Sequence, residues 1–229
     1  MIDTDHNGTK SVTIAGAVTL SFDDGWRSIY ENAFPILQQS SIAATHYIIS
    51  GYLDNSQYPH YMNLGHVREL ERAGHEIGCH TVSHRHLLQE PVSLVESEVF
   101  LSKAFLSGRG FQVTTFAYPY GEYDDRVLDV VRRAGFSGAR GVGRGYNDGS
   151  TDKLLLNVQP VKSSTTAREV VGWIEKAVAD KTWLILMFHQ VDYESREWST
   201  TPEILREIVD FIKNQNVSTV TVNEGLGVL

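Results

Sequence analysis

Segments with the β signature alternate with segments of helical periodicity along almost the whole chain, and few folds accommodate that order. The β-type stretches are 18–21, 42–50, 75–81, 114–120, 136–140, 154–161, 182–189 and 218–222. Between them lie helical patterns at 28–39, 64–73, 91–106, 124–134, 166–180 and 203–214. Pro35 falls inside the first helical pattern and predicts a bend or restart there, while Gly74 and Gly135 read as helix stops. In 91–106 the apolar residues Leu94, Val95, Val99, Leu101 and Phe105 are read as the buried stripe. Such alternation implies parallel βαβ units, and about seven of them suit a closed barrel better than an open sheet. The expected fold class is therefore α/β, a distorted parallel (β/α) barrel of about seven strands. At 229 residues one domain suffices. Its limits are placed at 18–229, with 1–17 as an N-terminal extension.

The bulk properties remove several classes of function. A net charge of −8 and the lack of any Lys/Arg run argue against nucleic acid. Apolar runs such as 183–188 are strand-sized, so no membrane span is expected. The single Cys79 excludes an internal disulfide. Residues 1–10 are polar and lack the apolar region of a secretory signal, so the chain either acts inside the cell or has lost its signal. No protein partner is implied.

In a parallel barrel the functional groups gather at the C-terminal ends of strands. Four polar clusters stand at such ends: Asp23-Asp24, His80-Thr81, Tyr120-Gly121 and His189. Two adjacent carboxylates at a frayed strand end can both turn toward one cavity, where their repulsion is relieved by a cation. One Asp then ligates the cation while the other stays free to accept a proton. The plain alternative is a solvated Asp-Asp-Gly turn. His80 and His84 are four residues apart, and a helical turn would set both on one face, able to share a metal. With Asp24 they supply two nitrogens and one oxygen, which leaves positions open as in a catalytic site. His86 and His75 are read as non-ligands, the latter at the wrong end of its strand. Met187, with Trp183 or Tyr120, is a candidate lining for a small apolar pocket.

The segments Ser21-Phe22-Asp23-Asp24-Gly25, His80-Thr81-Val82-Ser83-His84, Phe116-Ala117-Tyr118-Pro119-Tyr120-Gly121 and Leu184-Ile185-Leu186-Met187-Phe188-His189 occur in that order. Together they resemble the polysaccharide deacetylase family, the NodB-homology domain of carbohydrate esterase family four. The resemblance covers about 18–222 and implies a distorted parallel barrel. It implies removal of N-acetyl groups from an N-acetylglucosamine-containing polymer or oligomer such as chitin, peptidoglycan or poly-N-acetylglucosamine. O-acetyl esterase action on xylan, with the same residues, is one alternative. A catalytically silent carbohydrate-binding domain is another. The implied cofactor is one divalent ion, Zn²⁺ or else Co²⁺, Ni²⁺ or Mn²⁺. Residue by residue, the resemblance implies Asp23 as general base, Asp24, His80 and His84 as metal ligands, and His189 as general acid. The backbone N–H of Tyr120 would face the oxyanion. Pro119, Tyr120, Met187 and Arg140 are counted as facing substrate. An acetylated polysaccharide as partner implies an extracellular or cell-envelope location.

Two departures from the pattern stand out. Ala117 occupies the place of the family's Arg that orients the catalytic Asp, and 136–145 offers no Asp to pair with the catalytic His. Arg140 is the candidate to replace the missing Arg by reaching across the site. The aromatics Trp26, Tyr52, Tyr58, Tyr61, Tyr146, Tyr193 and Trp198 are candidates to stack on sugar rings.

Overall fold

The computed structural model describes residues 16–227 and residue 229; most of the 1–17 extension therefore lies outside the described residues. Eight strands are formed: β1 (Ala17–Phe22), β2 (Thr45–Ile48), β3 (Glu76–Cys79), β4 (Thr115–Ala117), β5 (Gly138–Arg144), β6 (Leu156–Pro160), β7 (Trp183–Phe188) and β8 (Ser218–Thr219). β1 to β7 run parallel, and the sheet closes because β1 pairs with both β7 and β2. The result is the expected seven-stranded barrel. Its distortion sits at one seam. β1 matches β7 over six residue pairs but meets β2 only at Ser21↔Thr45 and Phe22↔His46, and β8 pairs with the lower half of β1 instead.

The helices that cover the barrel are α1 (Phe34–Ser40), α2 (Leu64–Arg72), α3 (Val92–Ser107), α4 (Asp125–Arg133), α5 (Ala167–Asp180), α6 (Pro202–Asn214) and the short α7 (Val222–Gly225). The expected restart near Pro35 is present: a wide π-helical turn, Ile29–Ala33, precedes α1, which carries Pro35 in its first turn. Side chains of Thr166 and Thr201 cap α5 and α6 by accepting from backbone N–H groups.

Two differences from the sequence reading concern strands. β5 continues past Arg140 to Arg144 although the segment is glycine-rich, because a register irregularity between Arg140 and Arg144 lets it keep pairing with β6. The last β-type stretch is only two residues long, and Val222 starts α7 instead, since Thr221 caps that turn. A third difference is in α3. Its buried face is Val95, Glu98, Val99, Ser102 and Leu106, while Leu101 is 61% exposed.

Alternation along the strands sorts the core into two shells. On β7, Leu184, Leu186 and Phe188 pack outward against Leu205, Ile208 and Ile174 of the surrounding helices. Trp183, Ile185 and Met187 point inward with Tyr47, Ala117, Leu156 and Val158. Trp183 therefore fills the barrel floor, its indole N–H donating to Thr19 Oγ1 at 2.8 Å. It lies four residues, about 13 Å, from Met187 along the strand. That separation removes it from any pocket shared with Met187.

His46 and His75 form a buried pair, His46 Nε2 to His75 Nδ1 at 3.0 Å, packed under Phe34 and Phe22. Burial lowers the pKa of both, that of His75 to about 4, with His46's neighbour adding to the effect on His46. A histidine kept neutral in the fold but titrating near 6.5 when unfolded gives the unfolded chain more bound protons between those values. Stability is thus complete above pH 6.5 and is lost as pH falls toward 4, by on the order of 2–3 kcal/mol for His75. Melting temperature recorded across pH 7 to 4 checks this: the slope should flatten in His75→Gln, and an unchanged slope would exclude the pair as its source.

Candidate active site

Strand parity places the first functional residue. Thr19 and Ser21 point into the barrel, so Asp23, two residues further, points inward at its rim. Asp24 ought to face away. It does not, because its φ of 70° and the φ of 80° at Gly25 turn the chain back over the opening. Both carboxylates of the Asp-Asp-Gly turn thereby serve one cavity, as the sequence suggested.

His80 follows β3 at its C-terminal end, and its Nδ1 donates to the Ala117 carbonyl at 2.8 Å. That bond leaves the Nε2 lone pair directed at Asp24. The 80–84 segment does not coil into helix as expected. Thr81 and His84 instead take left-handed conformations, φ 66° and 56°. Thr81 Oγ1 accepts the His84 N–H at 3.0 Å, and the second imidazole is swung back beside the first. The two imidazoles converge, by a looped route.

Asp24 Oδ1 lies 3.4 Å from His80 Nε2 and 3.5 Å from His84 Nε2. These separations match the edge of a tetrahedron about an ion with bonds of about 2.0–2.1 Å. Asp24 Oδ1 is buried and accepts no protein hydrogen bond, while Oδ2 is held by the Trp26 indole N–H at 2.8 Å. A fixed, uncompensated carboxylate oxygen between two imidazole nitrogens fits a divalent cation. Among the described residues, Asp24, His80 and His84 form the one cluster of three such donors. Burial alone would raise the pKa of Asp24, but the close approach of His80 and the nearby His189 and His84 outweigh it and hold the carboxyl far below its usual range. His84 is lowered to about 4 by burial and by His80. His80 is raised: burial opposes its charge, but the adjacent Asp24 and Asp23 carboxylates prevail.

Asp23 is not part of that cluster. Its Oδ1 is ion-paired with Arg140 Nη2, both groups being buried. Arg140 is the register partner of Ala117 on the neighbouring strand, so the guanidinium enters the barrel at the level where the family's Arg is missing. Asp23 Oδ2 faces His189 Nε2 at 3.9 Å. Consistent with the missing Asp, His189 Nδ1 is buried without a hydrogen-bond partner among the described residues, and the ring packs on Trp198.

These groups border a cavity of about 320 Å³ whose walls include Tyr118, Tyr120, Gly121, Val142, Met187 and Trp198. Of the residues expected to face substrate, Tyr120 and Met187 line it. Pro119 and Arg140 do not: Pro119 is buried in the turn behind Tyr120, and Arg140 is spent on Asp23, the Gly141 carbonyl and the Tyr47 ring. Gly121, with φ 70°, packs so closely on Val142 that a Cβ there would collide with it, which brings β5 up to form one wall. His86 stacks on Tyr120 at 3.7 Å and meets Glu122, away from the ligand cluster. His75 is at the opposite end, as expected. Sequence reasoning missed the tie from Trp26 to Asp24 and the walls formed by Val142 and Tyr118. The position of Trp26, two residues after Asp24, was the available signal for the first.

The Asp-His-His cluster and the second, arginine-held Asp stand at the C-terminal rim, where parallel barrels carry their active sites. The sequence model of the family described as polysaccharide deacetylase matches residues 10–139, and the chain belongs to that family. The chain is 32% identical over 136 residues to the poly-β-1,6-N-acetyl-D-glucosamine N-deacetylase of Staphylococcus aureus, covering 52% of this chain and 45% of that protein. It therefore spans less than half the length of such curated relatives. A Streptococcus pyogenes deacetylase in complex with acetate superimposes with a TM-score of 0.59 at 27% identity, over 61% of this chain and 62% of the other. A family 4 acetyl xylan esterase of Clostridium thermocellum, solved with a cobalt ion, shares the fold over 91% of this chain and 89% of its own, with a TM-score of 0.64 and 22% identity. No described helix is long and apolar enough to cross a membrane.

Proposed function

We propose that the chain is a divalent-metal-dependent deacetylase that removes N-acetyl groups from an N-acetylglucosamine-containing polysaccharide or oligosaccharide. The observation that carries this reading is Asp24 Oδ1, buried and without a hydrogen bond, set between two imidazole nitrogens beside a second carboxylate gripped by an arginine. Asp24, His80 and His84 hold the ion, Zn²⁺ or a similar cation. When bound, it supplies Lewis acidity to the acetyl carbonyl.

The chain's own residues do the rest. Asp23 takes a proton from the attacking water, with Arg140 fixing its Oδ1 so that Oδ2 faces the cavity. His189, on the other side of Asp23, gives a proton to the departing amine. The Tyr120 backbone N–H donates to the oxygen that gains charge. Met187, Trp198 and Val142 give the acetyl methyl a dry wall. Similarity to the staphylococcal enzyme supports an N-acetylated β-linked glucosamine polymer as substrate. Such polymers lie at or outside the cell surface, and the site of action is placed there.

Acetate release from β-1,6-linked and β-1,4-linked N-acetylglucosamine oligomers and from acetylated xylan tests this. N-acetylated oligomers should release acetate, a chelator should stop the release, and added Zn²⁺ should restore it. Chelator-insensitive hydrolysis would refute the mechanism. Xylan as the better substrate would move the reading to an O-acetyl esterase, and sugar binding without acetate release at full metal load would make the chain a silent binding domain.

A further inference from the structure

The buried face of α3 contains two residues that do not belong in an apolar stripe. Glu98 and Ser102 sit between Val95, Val99 and Leu106, and Glu98 is only 5% exposed. A buried carboxylate is costly unless its charge is fully engaged. Glu98 is engaged entirely by the loop that carries the two histidines. Its Oε2 accepts the consecutive backbone N–H groups of Val82 at 3.0 Å and Ser83 at 2.8 Å, and its Oε1 accepts the Ser83 hydroxyl at 2.6 Å. The Arg85 guanidinium approaches Oε1 at 3.7 Å. One turn further along the helix, the Ser102 hydroxyl donates to the Thr81 carbonyl at 2.9 Å and receives the Cys79 thiol at 3.2 Å. From the opposite side the backbone N–H groups of Ser50 and Gly51 donate to the carbonyls of Thr81 and Val82.

The peptide from Thr81 to Ser83 is thus pinned at the carbonyls of Thr81 and Val82 and at the N–H groups of Val82 and Ser83, just where the chain must hold two left-handed residues, Thr81 and His84. Non-glycine residues in that region cost on the order of 1–3 kcal/mol each and persist only when their surroundings fix them. Without those conformations, His84 Nε2 would not return to Asp24.

We infer that Glu98, assisted by Ser102, is a positioning residue for the metal centre: it holds the 81–84 loop in the strained form that presents His80 and His84 together. The inference rests on the proposed metal site. Glu98 touches neither ligand imidazole and acts through backbone. Its loss should therefore weaken metal binding more than it weakens the fold.

The test is Zn²⁺ affinity of the full chain, stripped of metal and titrated against a chromophoric chelator, with melting temperature measured in parallel. Glu98→Gln keeps the volume but sets an amide N–H₂ against donors. It is expected to lower affinity by about ten- to a hundred-fold, and deacetylase activity should return at high Zn²⁺. Ser102→Ala should show a smaller loss in the same direction. Val95→Ala, buried on the same helix but without contact to the loop's polar groups, controls for helix packing and should lower the melting temperature with affinity unchanged. The inference is overturned if Glu98→Gln binds Zn²⁺ as the parent does, or if Val95→Ala weakens binding equally. If the parent chain itself binds no Zn²⁺, the metal-site reading falls and this inference with it, so the two failures are distinguishable.

Discussion

Asp23→Asn is expected to reduce kcat/KM for acetate release by about 10²–10⁴-fold, the usual contribution of a general base, while Zn²⁺ affinity stays within a few-fold of the parent. The two Asp side chains are adjacent in sequence yet differ in surroundings. Asp24 gives one oxygen to the imidazole cluster and the other to Trp26. Asp23 gives one oxygen to Arg140 and turns the other to His189. Asn is nearly isosteric and can still accept from Arg140, so the cavity wall is kept and only the capacity to take a proton is lost. Asp24→Asn should behave differently, losing metal and turnover together. The measurement is paired: steady-state kinetics at saturating Zn²⁺ and metal affinity by chelator competition. Turnover in Asp23→Asn above a tenth of the parent's would remove Asp23 as the base, and a large fall in affinity would make it a ligand.

Much of this arrangement was legible in the sequence because it depends on parity and punctuation. Alternating β and helical signals dictated a parallel barrel, and strand ends dictated where polar groups would gather. The donors Asp24, His80 and His84 could be named without knowing how the chain brings them together. The route was not legible: the loop that holds Thr81 and His84 at left-handed φ is fixed by Glu98, distant in sequence, together with the Thr81–His84 bond. The same limit hid Glu98. In a helical stripe a polar residue reads as a break, so the apolar pattern points to Leu101, which faces solvent. The glycines after Arg140 signal a loop in the sequence, whereas here they let β5 pass the rim and bring Val142 to the cavity. Trp183 shares a strand with Met187 and so reads as a candidate for the same pocket, and only its distance along that strand corrects this.

Arg140 is where sequence and structure reinforce each other, and its replacement should produce the largest change in stability. Its guanidinium is 1% exposed, paired with an Asp23 that is 4% exposed, and lies over the Tyr47 ring at 4.6 Å. Removing one partner of a buried pair strands the other charge, which costs about 3–5 kcal/mol. For a domain of this size that is a fall in melting temperature of roughly 6–20 °C. Arg140→Met, which keeps much of the packing, is the variant to measure, in chelator-treated protein so that metal loss does not contribute. The double variant Asp23→Asn/Arg140→Met removes the stranded charge and should recover more than half of that loss, because the penalty belongs to the unpaired carboxylate. Turnover should not recover, since the double variant still lacks its base. Arg140→Met as stable as the parent, or a double variant whose losses simply add, would show that the pair is not coupled. An unaltered pH–rate profile in Arg140→Met would show that Asp23 reaches its working position without help from β5.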